Sequence, residues 1–171
     1  MGYYVRTTDC EIILRAEHAK AALARVIEFN EKNDDMKRGG SYGPDGVRES
    51  WFSWMPSDFK QFKDIGEFFS TLGFQFVRDA SGNYIVQGYN DKHGQEDLLM
   101  ASLEHLVEHG SYAEWAGEDG DAWRWEFDNG HMYVREGYVA WREERIHPFV
   151  AWEKAKARLD AIKDVLRKVE G

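Results

Sequence analysis

The sequence predicts a single α+β domain over residues 1–171, in which an antiparallel sheet meander packs against about four helices. A length of 171 residues suits one domain with a sizeable core. The hydrophobic content of 43% and the aromatic content of 15% indicate a folded, globular chain. The predicted helices interrupt pairs of antiparallel strands, which is typical of α+β proteins rather than of doubly wound parallel sheets.

The first third of the chain contains strands, one helix and a glycine-rich loop. Short apolar runs separated by a turn signal predict strands at residues 3–8 and 11–14. Apolar residues recur at helical spacing over residues 17–33, which predicts the first helix. Four glycines in residues 37–46 indicate a flexible loop, and the aromatic residues that follow predict a strand at 49–55.

The middle of the chain is predicted to contain two helices around a hairpin. A helix with an apolar face begins at residue 57 or 58 and ends at Gly73, a residue type that favours helix C-termini. Strands at 74–77 and 84–87 flank a short polar loop and form the hairpin. The third helix spans residues 95–109, where leucines recur at helical spacing.

A meander of short strands follows the third helix. Trp123, Trp125 and Phe127 alternate with smaller or charged residues, so they share one face of a strand. One buried and one solvated face is typical of antiparallel sheets. The predicted strands are residues 111–116, 122–127, 131–135 and 138–141.

The chain ends in a predicted amphipathic helix over residues 148–170. Pro148 suits the first helical turn, and the apolar positions after it alternate steps of three and four, as in a heptad repeat. Two interpretations remain open for this apolar seam. It docks on the sheet, or it pairs with its copy in a homodimer.

The composition indicates a soluble protein of the cytoplasm. Cys10 is the single cysteine, so neither an intrachain disulfide nor a zinc site of several thiolates is expected. The first residues lack the charged and apolar regions of a signal peptide. No apolar run approaches the roughly 18 residues that span a bilayer, so no membrane partner is expected.

Negative charge is concentrated in one block of the sequence. Residues 96–144 hold 13 acidic and three basic side chains, whereas the rest of the chain is almost neutral. Such a block repels phosphate backbones, which argues against direct nucleic-acid binding. We expect it to contact a basic surface on a partner protein, the alternative being that it only keeps the protein soluble. The predicted partner-binding residues are Glu114, Glu118, Asp119, Asp121, Glu126 and Asp128.

The glycine-rich loop supports a second hypothesis, the binding or sequestration of a small anionic ligand such as a nucleotide. Backbone N–H groups beside cationic side chains can hold a phosphate. The loop matches neither of the glycine-rich phosphate-binding motifs, and a simple connection is the alternative interpretation. The candidate ligand-binding residues are Lys37, Arg38, Gly39, Gly40 and Ser41.

Residues 105–109 match the H-x-x-E-H pattern of one class of zinc proteases and support a third hypothesis, a metal-dependent hydrolase. On a helix, His105 and His109 would hold the ion while Glu108 activates water. The alternative is an ordinary amphipathic helix with these side chains on its flank. Since no nucleophile signature occurs, we predict no catalytic residue and no cofactor, and we favour a protein that is not an enzyme.

Three segments resemble small uncharacterised accessory proteins that are encoded by tailed bacteriophages and by some of their bacterial hosts. They are MGYY at residues 1–4, FSWM at 52–55 and GSYAEWAGEDGDAWRWEF at 110–127. The resemblance implies a protein that is absent from the virion and acts in the host cytoplasm against a host enzyme or defence system. The leading hypothesis is therefore a non-enzymatic inhibitor that acts through a negative surface.

Overall fold

The computed structural model describes residues 3–138 and residue 156. By internal contacts the chain divides into two units, Met1–Val139 and Ala140–Gly171, and the description below concerns the first of them. Apart from residue 156, the helix predicted at residues 148–170 lies outside the described residues. The single-domain organisation and the homodimer therefore stay predictions.

The described chain combines strands with three α-helices, which confirms the α+β class. The prediction of about four helices is not supported, because the described part of the chain contains three. None of these helices has the length and apolar character needed to cross a membrane. The elements in chain order are β1 (Tyr4–Leu14), α1 (Ala19–Lys32), β2 (Gly39–Tyr42), β3 (Arg48–Trp51), α2 (Ile65–Leu72), β4 (Phe74–Arg78), β5 (Tyr84–Lys92), α3 (Glu96–Ala101), β6 (Tyr112–Gly117), β7 (Asp121–Asp128) and β8 (His131–Tyr138).

Six strands form one antiparallel sheet in the order β4-β5-β1-β6-β7-β8, and β2 pairs with β3 in a separate hairpin. The predicted meander is confirmed, since β6, β7 and β8 pair in sequence. On β7, Trp125 and Phe127 are buried while Arg124 and Glu126 remain partly exposed on the other face. The sheet therefore has one core face and one solvated face.

The first strand is continuous, whereas the sequence predicted two strands separated by a turn. Against β6, the pairing register of β1 shifts between Thr7 and Asp9. Such a shift is a β-bulge, which bends a strand without ending it. The polar residues at this point therefore mark a bulge and not a turn.

The helix predicted from residue 57 is shorter than expected, because Asp64 starts a new helix. The backbone N–H of Glu67 donates to Asp64 Oδ1 at 2.8 Å, and that of Lys63 donates to Glu67 Oε2 at 2.7 Å. These bonds satisfy donors that a helix N-terminus leaves without partners. The preceding residues form only a short 3-10 helix, Phe59–Gln61. The predicted end at Gly73 is confirmed by its left-handed φ of 104°.

The helix predicted at 95–109 also proves short, since α3 ends at Ala101. The chain continues in turns and then joins the end of β1. The N–H of Glu108 donates to the carbonyl of Ile13 at 2.9 Å, and Val107 forms an isolated bridge with Leu14. Pairing with a distant strand therefore replaces the last helical turns.

The glycine-rich stretch is partly a strand and not a mobile loop. Residues 39–42 pair with β3 in the register Gly39 to Trp51 and Tyr42 to Arg48. The indole of Trp51 occupies the space that a Cβ at position 39 would need, so this pairing requires glycine. The strand predicted at 49–55 correspondingly ends at Trp51.

An aromatic cluster occupies the core face where β4, β5, β6 and β7 meet. Trp115 is 1% exposed and lies at the centre of this cluster. Its ring centroid is 4.4 Å from that of Trp125 and 5.2 Å from that of Tyr89. Trp123 stacks on Trp115 with the ring planes 2° apart. Because of this stacking, the aromatic cluster continues from the buried Trp115 to the partly exposed Trp123.

Candidate functional site

One pocket lies where the core face of β7 and β8 meets the connection from β5 to α3. Its volume is about 540 Å³, within the roughly 300–1,000 Å³ range of ligand sites. Trp123 and Asp121 enter it from β7, and Glu136, paired with Trp123, enters it from β8. His93 and Asp97 approach from the opposite side. Five elements of the fold thus converge here, since Tyr3, just before β1, completes the lining.

Aromatic rings form one wall of the pocket. The ring centroid of His93 lies 5.7 Å from that of Trp123 and 6.4 Å from that of Tyr3. Trp123 is held in place because its other side stacks on the buried Trp115 at 5.8 Å. Packing against the core therefore holds this wall in place without a ligand.

Three carboxylates, those of Asp97, Asp121 and Glu136, also line the pocket. In the described part of the chain none of the three takes part in an ion pair. The described lining residues include no lysine and no arginine. Within the described residues, the pocket therefore presents three carboxylates without ion pairs beside aromatic rings.

Tyr3 connects the aromatic wall to one of these carboxylates. Its hydroxyl donates to Asp121 Oδ2 at 3.1 Å. Loss of surrounding water and then the hydrogen bond to Asp121 raise the pKa of Tyr3, and the charge of Asp119 acts in the same direction. The phenol stays neutral at physiological pH and orients the Asp121 carboxylate.

His93 is bound to a buried carboxylate beneath the pocket. Its Nδ1 lies 2.5 Å from Oε1 of the fully buried Glu96, whose Oε2 accepts the N–H of Gly94 at 2.8 Å. The hydrogen bond to Glu96 raises the pKa of His93. Such a pair can move a proton. The described lining residues include no serine, threonine or cysteine.

Two of the predicted partner-binding residues are neutralised on the other face of the sheet. Arg124 on β7 lies 2.5 Å from Glu114 and 3.2 Å from Glu126, measured between charged atoms. Arg135 on β8 adds a second ion pair to Glu126 at 2.9 Å. Glu114 and Glu126 therefore add little net charge to that surface.

The other four predicted acidic residues lie at opposite ends of β7. Asp128 is at the far end, where its Oδ1 lies 3.0 Å from Nδ1 of His109. Glu118 and Asp119 form the β6–β7 turn, and Asp121 follows them into the pocket. The six residues do not converge on one surface, but Asp121 lines the pocket and the charge of Asp119 acts on Tyr3, which also lines it.

The predicted phosphate-binding residues are mostly occupied by other contacts. The Lys37 side chain is 5% exposed, with its ammonium 2.6 Å from Asp34 and 5.8 Å from the ring centroid of Phe52. The N–H of Arg38 donates to Gln95 Oε1 at 3.1 Å. The backbone from Gly39 to Ser41 pairs with β3. This hairpin gives the nucleotide hypothesis little geometric support.

The H-x-x-E-H residues do not come together, because their segment forms turns instead of a helix. Glu108 is bound to Arg15 at 2.9 Å, and His109 is next to Asp128. His105 approaches a different set of side chains, described below. The arrangement that two histidines and a glutamate would have on one helix face is absent from these residues.

No protein-family model, no curated protein and no solved structure matches the chain. The resemblance to phage accessory proteins therefore stays a prediction.

Sequence reasoning missed Tyr3, His93, Asp97 and Glu136 as site residues. One local signal was present, since His93 stands three residues before Glu96 at the start of a predicted helix. Nothing local marks Asp97 or Glu136. They meet Asp121 only through the pairing of β7 with β8 and the packing of α3.

Proposed function

We propose that this protein binds a protonated amine or guanidinium group in the pocket, presented by a lysine or arginine side chain of a partner protein. One observation supports this above the others. In the described part of the chain, three carboxylates without ion pairs and the rings of Trp123 and Tyr3 line the same pocket, and its lining residues include no lysine or arginine.

The chemistry of the lining matches a cation in two ways. A cation over an aromatic face gains about 0.5–2 kcal/mol, most of all on tryptophan. Hydrogen bonds from an ammonium or guanidinium to carboxylates are stronger than neutral ones. A basic side chain between Trp123 and the carboxylates of Asp121 and Glu136 makes both kinds of contact at once.

The surroundings favour a protein partner over a free amine. Glu118 and Asp119 extend the negative charge from the pocket to the exposed β6–β7 turn. A field of one sign over a wider surface steers and selects an oppositely charged partner. We therefore keep the hypothesis of a non-enzymatic inhibitor of a host or defence protein. We now assign the partner-binding surface to this pocket and the β6–β7 turn, and no longer to the whole acidic block.

Titration with short capped peptides tests the proposal. Gly-Arg-Gly and Gly-Lys-Gly should quench the fluorescence of Trp123, whereas Gly-citrulline-Gly, which has the same shape without the charge, should not. The double change Asp121→Asn and Glu136→Gln should weaken binding at least tenfold, about 1.4 kcal/mol.

Asp128→Asn is the matched control, since it removes a carboxylate at the other end of the same strand. It should leave peptide affinity unchanged. Equal binding of the citrulline peptide would contradict a cation site. Tighter binding of a free polyamine than of any peptide would contradict the protein-partner part of the proposal.

The affinity for a cationic peptide should rise with pH. His93 lies among the charges of Glu96, Asp97 and Arg38, and its hydrogen bond to Glu96 raises its pKa above the usual value of about 6.5. Deprotonation above that raised pKa removes a positive charge from the pocket, so peptide binding strengthens. The stability from the protonated pair is fully present below pH of about 6.5 and is lost as pH rises through the raised pKa.

Affinity and stability should thus change in opposite directions over the same pH window. Peptide titrations and urea unfolding between pH 5.5 and 9, about three units around the histidine range, measure both. In His93→Gln both pH dependences should flatten. Affinity that falls as His93 deprotonates would argue against a cationic ligand.

A further inference from the structure

Two histidines and a glutamate meet on the surface at the other end of β8 from the pocket. Oε1 of Glu104 lies 3.6 Å from Nε2 of His105 and 3.6 Å from Nδ1 of His131. The ligand atoms of the three residues all lie within 4.8 Å of one another. Glu104 and His105 come from the turns after α3, whereas His131 is the first residue of β8.

Two of these distances are close to those around a bound transition-metal ion. Zinc bonds of about 2.0–2.2 Å in a tetrahedron place neighbouring donor atoms about 3.3–3.6 Å apart. The two separations from Glu104, 3.6 Å each, are at the upper end of that range, and the donor atoms of the two histidines lie within 4.8 Å of each other. Imidazole nitrogens with one carboxylate oxygen are a donor set that suits Zn²⁺ and its neighbours in the periodic table.

The surrounding backbone orients two of the three donors. The second carboxylate oxygen of Glu104, Oε2, accepts the N–H of Met132 at 2.8 Å, which fixes the carboxylate beside His131. A Cβ on Gly130 would stand 3.1 Å from Nδ1 of His105, so this turn packs closely against one side of the imidazole. The other nitrogen, Nε2, is the one that faces Glu104. Contacts of this kind, outside the metal ligands themselves, position ligands in metal sites.

We propose that Glu104, His105 and His131 bind Zn²⁺ as a three-ligand site, with water completing the coordination. The histidines are exposed, so solvent reaches the fourth position without rearrangement. The ion would connect the turns after α3 to the β7–β8 turn. The site is separate from the pocket, because His131 and Glu136 are about 17 Å apart along an extended strand.

Metal titration of the full chain without an affinity tag tests this site. Zn²⁺ is titrated in competition with a chromogenic chelator, and Co²⁺ is used as an optical substitute. We expect one equivalent of Zn²⁺ to bind and the Co²⁺ complex to show the intense visible absorption of four-coordinate cobalt. A Co²⁺ spectrum no stronger than that of the hydrated ion would overturn the proposal.

Variants locate the ion. His131→Ala and Glu104→Gln should each weaken Zn²⁺ binding by at least about tenfold. Even the loss of a group that only holds a metal ligand in place typically weakens binding about 10–100-fold. Glu104→Gln keeps an oxygen that can accept the N–H of Met132. A loss of Zn²⁺ affinity in this variant therefore reflects the lost carboxylate ligand and not a lost contact with the turn. His109→Ala is the control, because it removes a nearby imidazole that is paired with Asp128 and not with Glu104. This variant should bind Zn²⁺ with the affinity of the unchanged protein.

Thermal unfolding gives a second readout. Zn²⁺ should raise the melting temperature of the unchanged protein and of His109→Ala, because a ligand that binds the folded state stabilises it. The same Zn²⁺ addition should not raise it in His131→Ala. Equal weakening in His109→Ala and His131→Ala would show that the ion is held elsewhere and would overturn the proposal.

Discussion

Replacing Trp115 by alanine should lower the free energy of unfolding by about 3–5 kcal/mol, the usual result of truncating a fully buried tryptophan. Trp115 is 1% exposed and contacts aromatic rings from three other strands. Its centroid lies 6.2 Å from that of Phe74, 5.2 Å from that of Tyr89 and 4.4 Å from that of Trp125. Alanine leaves a cavity that these rings cannot all fill. Urea unfolding at fixed pH measures the loss.

Trp115→Ala should also weaken peptide binding, because Trp123 loses the ring on which it stacks. Trp115→Phe keeps an aromatic ring and should lose less stability. If Trp115→Ala does not fold, the unfolding transition of Trp115→Phe can still be measured. Tyr133→Ala is the control: Tyr133 is 53% exposed on β8, and its replacement should change stability by no more than about 0.5 kcal/mol. Equal losses in Trp115→Ala and Tyr133→Ala would show that the cluster does not organise the core.

The elements that sequence predicted correctly are those with a short, local signal. The alternation of Trp123, Trp125 and Phe127 predicts a strand, because side chains on a strand point to opposite faces in turn. The strands predicted at 122–127 and 131–135 leave a short gap, and the turn before β8 lies there, with positive φ of 51° at Asn129 and 79° at Gly130. Such signals need no knowledge of the rest of the chain.

The incorrect predictions depend on partners that are distant in sequence. The segment after Ala101 has a helical apolar pattern, yet its backbone pairs with β1 more than 90 residues away, at Ile13 and Leu14. The glycine-rich segment has no local strand signal, but residues 39–42 pair with β3, which ends at Trp51. Local propensity is weaker than such tertiary contacts.

The net charge of the acidic surface likewise depends on contacts that the sequence does not reveal. Sequence reveals how many carboxylates a segment holds but not which of them are neutralised. Arg124 and Arg135 are directly paired across β7 and β8, and both contact Glu126. Asp119 and Asp121 are nevertheless near the pocket, because the β6–β7 turn leads into the strand that lines it.

Gln95→Ala should cost about 3 kcal/mol in unfolding free energy, since it removes three partly buried hydrogen bonds that are worth about 1 kcal/mol each. Gln95 is 2% exposed. Its Oε1 accepts the N–H groups of Arg38 and Ser53 at 3.1 and 3.2 Å, and its Nε2 donates to the carbonyl of Met36 at 2.7 Å. One side chain thus joins both ends of the β2–β3 hairpin to the start of α3. Urea unfolding of Gln95→Ala beside Gln87→Ala, an exposed glutamine on β5, measures the difference.

The position of Gln95 also makes it a test of how the pocket is held. It lies between His93 and Asp97, so the bonds that secure the hairpin also secure the connection that carries two lining residues. If those bonds position the pocket, Gln95→Ala lowers peptide affinity as well as stability, even under conditions where the variant is fully folded. Gln87→Ala should change neither quantity. Full affinity in folded Gln95→Ala would mean that the bond from His93 to Glu96 holds this side of the pocket by itself, and that the hairpin stabilises the fold without shaping the site.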